Sequence, residues 1–208
     1  MKPYRLVIFD FDGTLCDSFD WFLRAVNEAA DRYSFRRIEE AEVETLRGKS
    51  SREIIRHLEV PAWKLPAIAR FMRRLKSESF ADMALFPGTM EMLQALRDGG
   101  LLLAIVSSDA EANVCRSLGD AEPLFETFSC DVSLFGKSVQ FRRVMQQLNV
   151  APQLTLCIGD EVRDAVAARK AGASFGAVTW GYATPDALKT RQAALIFETP
   201  RSIAASLL

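Results

Sequence analysis

Phe9-Asp10-Phe11-Asp12-Gly13-Thr14-Leu15 follows without a break on the apolar residues Leu6-Val7-Ile8. The apolar run is short and closed by an Asp-Gly turn signal, which predicts a buried strand over residues 4–10. Alternate residues of a strand point the same way, so extended backbone through position 12 would aim both carboxylates at one place. Two like charges buried together are unfavourable unless a cation neutralises them or a proton is shared, so the pair points to a metal site or to acid/base chemistry. Gly13 permits a sharp turn and Thr14 adds a hydroxyl. A strand end with an ordinary Asp-Gly turn is the other reading of this stretch, and what separates the two lies further along the chain.

Downstream the period changes to that of a helix. Phe19, Phe22, Leu23, Val26, Ala30 and Tyr33 fall on one helical face. Ser50-x-x-Glu53 reads as a capping box opening a second helix, which Pro61 stops. Ile68, Met72, Leu75 and Ser79 are in register over a third, residues 66–80. Residues 17–84 therefore read as all-helical.

After Phe86-Pro87-Gly88, Thr89 is expected to cap a helix that ends at Asp98-Gly99-Gly100, and residues 101–107 form a strand too apolar to be half exposed. Helices over about 110–118 and 137–148, a weak strand near 128–130 and a buried strand over 154–158 follow. A helix ending at Ala171-Gly172, a strand through 177–179 and a helix start at Thr184-Pro185-Asp186 complete the alternation. The expected class is α/β: a doubly wound, Rossmann-like parallel sheet over residues 1–16 and 85–208, with an all-helical insertion, residues 17–84, after the first strand. Such sheets place their chemistry outside the carboxyl ends of the strands, which here carry Asp10 and Asp12, then Ser107-Ser108-Asp109, then Gly159-Asp160-Glu161.

Composition narrows the partners. Twenty-six basic residues against 27 acidic ones leave a formal charge of −1, so no global field favours nucleic acid or an anionic membrane. Cys16, Cys115, Cys130 and Cys157 are scattered without zinc-ligand spacing, as expected of reduced thiols in a cytoplasmic protein. The longest strongly apolar stretch, residues 101–106, is too short to span a bilayer, and no export signal is expected.

Together these residues resemble the haloacid-dehalogenase-like hydrolase superfamily, in particular its phosphatases with a helical cap after the first strand, such as phosphoglycolate phosphatase. Asp10-Phe11-Asp12-Gly13-Thr14 is similar to the first family motif, Val106-Ser107 to the second, Lys137 to the third and Gly159-Asp160-Glu161-Val162-Arg163-Asp164 to the fourth, in the family's order. The resemblance implies that Asp10 is a nucleophile forming an aspartyl phosphate, and that Asp12 protonates the leaving oxygen and then activates water. It implies Mg2+ held by the Asp10 carboxylate, the Asp12 main-chain carbonyl and Asp160, with Asp164 as support behind them, and phosphate bound by Ser107, Ser108 and Lys137. A carboxylate approaches a phosphate dianion only where cations offset the repulsion, so the chemistry needs such a set. Two departures stand out: Ser108 occupies a position where the family often has Asn, and Phe135-Gly136-Lys137-Ser138 lacks the proline that often follows the lysine. Lys137 also reads as a solvated residue at a helix start, Ser107 as a helix cap, and Asp164 as a partner of Arg163 or Arg169.

Within the insertion, the basic turn Arg47-Gly48-Lys49-Ser50 offers contacts for an anionic substrate, or is simply a solvated turn. His57 reads as a surface or packing residue, and Trp21 and Phe22 as core. The expectation is a magnesium-dependent phosphatase acting on a small phosphorylated metabolite, with no nucleic-acid or membrane partner. A sugar-phosphate mutase of the same superfamily and a non-catalytic phospholigand-binding member are the alternatives.

Overall fold

Every side chain of β1 (Leu6–Phe9) is buried, and the strand divides them between two apolar clusters: Val7 and Phe9 on one face of the sheet, Leu6 and Ile8 on the other. That is why the run shows no polar alternation. A fully buried side chain such as Phe9 contributes roughly 1.5–3 kcal/mol of burial. The computed structural model describes residues 4–79, 83–133, 136–189 and 193–208.

From β1 the chain passes through β2 (Cys16–Asp17) into four helices, α1 (Phe19–Tyr33), α2 (Val43–Arg47), α3 (Ser51–His57) and α4 (Leu65–Glu78), and returns through β3 (Ala84–Leu85). Then strands and helices alternate: α5 (Thr89–Asp98), β4 (Leu102–Val106), α6 (Glu111–Leu118), β5 (Thr127–Ser129), α7 (Lys137–Gln147), β6 (Thr155–Gly159), α8 (Val162–Ala171), β7 (Ser174–Val178), α9 (Pro185–Lys189), β8 (Leu195–Phe197) and α10 (Pro200–Leu207). The main sheet runs β5-β4-β1-β6-β7-β8 with every pairing parallel. The order reverses beside β1, so a crevice opens at the carboxyl ends of β4, β1 and β6.

Helices cover both faces. Met92, Leu93 and Leu96 of α5 and Ile203 of α10 pack on the Val7–Phe9 side; Phe141, Val144 and Met145 of α7 and Ala165, Ala168 and Ala171 of α8 pack on the other. Trp21 joins the first of these clusters, with Phe22 packed against it. β2 and β3 pair antiparallel, Cys16 with Leu85 and Asp17 with Ala84, where the chain leaves and re-enters the sheet layer.

Local departures from expectation have local causes. Thr89 does not cap α5: the helix is entered through Gly88 at φ 85°, Thr89 is its first residue, and the Thr89 hydroxyl is buried without a hydrogen-bond partner. The helix expected over 66–80 is α4, which ends at Glu78, and Phe80 and Phe135 lie outside the described residues. A sixth parallel strand, β8, was not anticipated, because Leu195–Phe197 is too short to show a period. Among the described residues no helix is long and apolar enough to cross a membrane, and the four cysteines are free.

Candidate active site

Asp10 and Asp12 are held by different partners. β1 ends at Phe9, and the Asp10 amide extends the ladder by one bond to the Ile158 carbonyl (2.9 Å). The chain then turns, with the amides of Thr14, Leu15 and Cys16 all donating to the Phe11 carbonyl. Gly13 sits at φ 74°, and a methyl group there would overlap the Asp160 carboxylate, so both backbone and space require glycine. The extended path through position 12 is therefore absent, and the two carboxylates have separate partners. Asp10 Oδ1 accepts from the Phe11 amide (2.8 Å) while Oδ2 faces Lys137 Nζ at 2.5 Å. Asp12 Oδ1 accepts from Ser18 Oγ (2.7 Å) and from Lys76 Nζ.

The carboxyl end of β6 brings up the next group. Asp160 is wholly buried; Thr14 Oγ1 donates to its Oδ1 (2.8 Å) and the Tyr182 amide to its Oδ2 (2.7 Å). Asp164, in the first turn of α8, accepts from the Glu161 amide (3.1 Å) and from Lys137 Nζ (2.5 Å). Lys137 is thus neither solvated nor incidental: the first residue of α7 is 3 % exposed and its ammonium bridges Asp10 and Asp164. Asp164 pairs with this lysine rather than with Arg163 or Arg169; Arg163 is taken by Glu161 (2.5 Å).

Asp10, Asp160 and Asp164 each offer an oxygen within 4.8 Å of the others. Burial is the main cause that pushes Asp10 up to about 6, with Asp164 adding to it and Lys137 opposing. Burial, then the neighbouring Asp10 charge, holds Asp160 well above the usual carboxylate range. Burial alone would lower the Lys137 pKa, but Asp10 and Asp164 outweigh it and raise it. One ammonium does not neutralise three clustered carboxylates. Asp10 Oδ2, close as it is to Lys137, accepts no aligned hydrogen bond, so a buried hard oxygen is left open toward the cluster. Hard, anionic, oxygen-only donors with excess negative charge fit a small divalent cation.

At the end of β4, Ser107 is buried, donates its amide to Ser129 (3.1 Å) and accepts from the Asp109 amide (3.0 Å) through Oγ. It is not a helix cap, since α6 begins at Glu111 with Ala110 before it. Ser108 lies half-buried beside it. Asp109 Oδ1 is held by the Ala110 amide and Asn113 Nδ2, and Oδ2 faces Lys76 Nζ at 2.8 Å. Lys76 comes from the last turn of α4, is 3 % exposed, and bridges Asp12 and Asp109 across the crevice. Sequence reasoning assigned Lys76 no role. The signal was present: positions 68, 72 and 76 step by four along the apolar face of α4, and only the third is charged.

The basic turn of the insertion is partly engaged by the protein itself. Arg47 donates to the Gly181 and Tyr182 carbonyls (both 2.9 Å), pairs with Glu44 and lies over the Phe19 ring, so it ties the insertion to the loop after β7. Ser50 forms a reciprocal cap with Glu53 at the start of α3. Gly48 is exposed and Lys49 half-buried. His57 pairs with Glu42 on the insertion's own surface (3.2 Å). Tyr182, also unassigned from sequence, shares a hydrogen bond with Ser18 Oγ (2.9 Å) behind Asp12 and packs on Phe19 and Phe22.

Residues 7–178 match the haloacid dehalogenase-like hydrolase family. A phosphoglycolate phosphatase of Synechococcus elongatus is 30 % identical over 201 residues, covering 96 % of this chain and 95 % of the relative. A phosphoglycolate phosphatase of Xanthomonas campestris is 28 % identical, covering 89 % and 88 %. Among solved structures, a haloacid dehalogenase-like family hydrolase from Streptococcus pneumoniae superposes with a TM-score of 0.82 at 21 % identity over the whole of both chains. CbbY from Rhodobacter sphaeroides, in complex with phosphate, superposes with a TM-score of 0.72 at 20 % identity over 96 % of each.

Proposed function

This chain belongs to the haloacid dehalogenase-like hydrolase family, and from that premise we propose that it is a cytoplasmic, magnesium-dependent phosphatase that hydrolyses a small phosphomonoester through a phosphorylated Asp10. The observation that carries the reading is the buried Asp10–Asp160–Asp164 cluster with Lys137 set into it, at the crevice of a parallel sheet and next to Asp12.

Asp10 Oδ attacks phosphorus as the ester P–O bond breaks, and Asp12 gives its proton to the departing alkoxide. Asp12, now a carboxylate, takes a proton from the water that attacks the acyl phosphate, which releases inorganic phosphate and restores both residues. Lys137 and the Ser107 hydroxyl, with Ser108 beside it, hold the phosphoryl oxygens. The Asp10 and Asp160 carboxylates and the Asp12 main-chain carbonyl would hold Mg2+, with Asp164 fixing Lys137 behind them. Bound there, it would supply positive charge that offsets the repulsion between carboxylate and phosphate. Residues 17–84 act as a cap that excludes water from the acyl phosphate, with Arg47 anchoring it and Gly48, Lys49 and Ser50 at its rim.

The test is phosphate release from phosphoglycolate and a panel of phosphorylated metabolites with Mg2+, with the organic product identified so that a phosphoryl shift within the substrate is seen. Asp10→Asn is expected to abolish turnover. Asp12→Ala is expected to lose roughly a hundredfold to ten-thousandfold on alkyl esters and to accumulate phosphate on Asp10, read by mass spectrometry. No phosphate release across the panel overturns the reading.

A further inference from the structure

A cleft opens between the insertion and the crevice of the sheet. A cavity of about 740 Å³ runs from Asp12 and Lys76 up between α1, α3 and α4, and its deep wall is apolar, formed by Phe22, Val26, Ile54, Leu58, Ile68 and Met72. Phe22, Ile54 and Met72 remain half-buried although they belong to the apolar clusters of the insertion. The helices close on one another through Val26, Ala29, Ile68 and Phe71 and leave these three side chains part exposed toward the cavity. The volume, polar mouth included, is that of a site for a small organic molecule, and a two-carbon alcohol would leave the apolar part of it empty.

Four cations of the polar mouth are engaged by the protein itself. Lys76 is held by Asp12 and Asp109, Arg163 by Glu161, Arg73 by Asp131 (3.1 Å), and Arg47 by Glu44 and two carbonyls. A carboxylate reaching any of these four would have to displace an internal partner, whereas Lys49 and Arg70, which also line the cavity, are the cations it could meet without doing so. The apolar wall has only water to lose.

Resting on the phosphatase reading above, we propose that the alcohol half of the substrate is an apolar alkyl or aryl group several carbons long. It lies between α1, α3 and α4, with its phosphate at Asp10 and its ester oxygen beside Asp12. Cleavage follows the steps already given and releases the apolar alcohol and inorganic phosphate.

The experiment measures kcat/KM of the full chain, saturated with Mg2+, on n-alkyl phosphates from ethyl to octyl, with phosphoglycolate alongside. A chain entering the cavity gains about fourfold per methylene, and Ile54→Trp, which fills the cavity, flattens that slope; Met72→Phe serves if Ile54→Trp does not fold. A series without length dependence, or a preference for phosphoglycolate over butyl phosphate, overturns the proposal and leaves the phosphatase reading standing. If no ester is hydrolysed, the phosphatase reading falls, and calorimetry with n-alkylphosphonates decides the cavity. Affinity that rises with length and loses that rise in Ile54→Trp supports an apolar ligand there, whereas length-independent affinity marks a packing void.

Discussion

Replacing Lys76 by Met removes the only cation shared by Asp12 and Asp109 among the described residues and leaves an isosteric apolar stem in its place. Across the 2.8 Å to Asp109, the gross attraction at an effective dielectric of about 20 is about 6 kcal/mol. Burial consumes part of this, but breaking a buried pair on one side costs about 3–5 kcal/mol, because the remaining charges stay in place. Burial alone would lower the Lys76 pKa, yet the two carboxylates outweigh it and raise it, so the ammonium is charged throughout the stable range. A loss of about 3 kcal/mol in a chain of this length lowers Tm by about 6–12 °C. Thermal unfolding of Lys76→Met, Asp109→Asn and the double variant checks this: in the Asp109→Asn background the lysine substitution should cost at least about 1 kcal/mol less than in the wild type. A Lys76→Met protein within about 2 °C of wild type, with no coupling to Asp109, would refute the assignment of this bridge to the stability of the closed crevice.

Three further outcomes are expected. Asp10 is held up to about 6 and Asp160 also above its ordinary value, so the folded state keeps protons that the unfolded chain has already released. That contribution to stability is complete below about pH 4 and is lost as pH rises through 6. In chelator the protein should therefore melt higher at about pH 5 than at about pH 7.5, by about 1.4 kcal/mol in stability from Asp10, and Mg2+ should close the gap; a pH-independent Tm in chelator counts against this. Asp160→Asn should weaken Mg2+ by about tenfold or more in a metal titration of activity while leaving the chelated Tm unchanged or higher, since one of three crowded charges is gone. Gly13→Ala should cost about 1–3 kcal/mol in urea unfolding, because the φ of 74° and the Asp160 carboxylate both oppose a methyl group.

The sheet and half of the crevice were legible because they rest on local patterns. The apolar run into Asp10, the all-apolar 102–106 stretch and the Gly159-Asp160 strand end each identify a buried parallel strand, and parallel topology does the work of bringing Asp10, Ser107 and Asp160 to one end. Lys137 and Asp164 were legible by resemblance, but their contact was not, since it joins the starts of two different helices. Lys76 was missed, and Asp109 was placed at a strand end without its partner, for a related reason: a lysine on an apolar face reads as a flaw in the stripe until the opposite carboxylates are in place. Tyr182 escaped because it acts through its amide to Asp160 and its hydroxyl to Ser18, and a loop amide leaves no residue-type signal. The separate partners of Asp10 and Asp12 were not legible, as period-two reasoning holds only while the backbone stays extended, and the turn begins at Phe11.

The small β2–β3 ladder has a consequence for how this protein came to be built. Because Cys16 faces Leu85 and Asp17 faces Ala84, the segment between them starts and ends at adjacent points, so the sheet layer sees it as a closed loop. The entropy of closing a loop grows only logarithmically with its length, by about 0.6 kcal/mol per doubling. The core is therefore nearly indifferent to how much chain is strung between those two points. New helices can be added, exchanged or lengthened there without renegotiating the register of the six strands, and the lineage can vary the chamber above the aspartates while the aspartates themselves stay where they are.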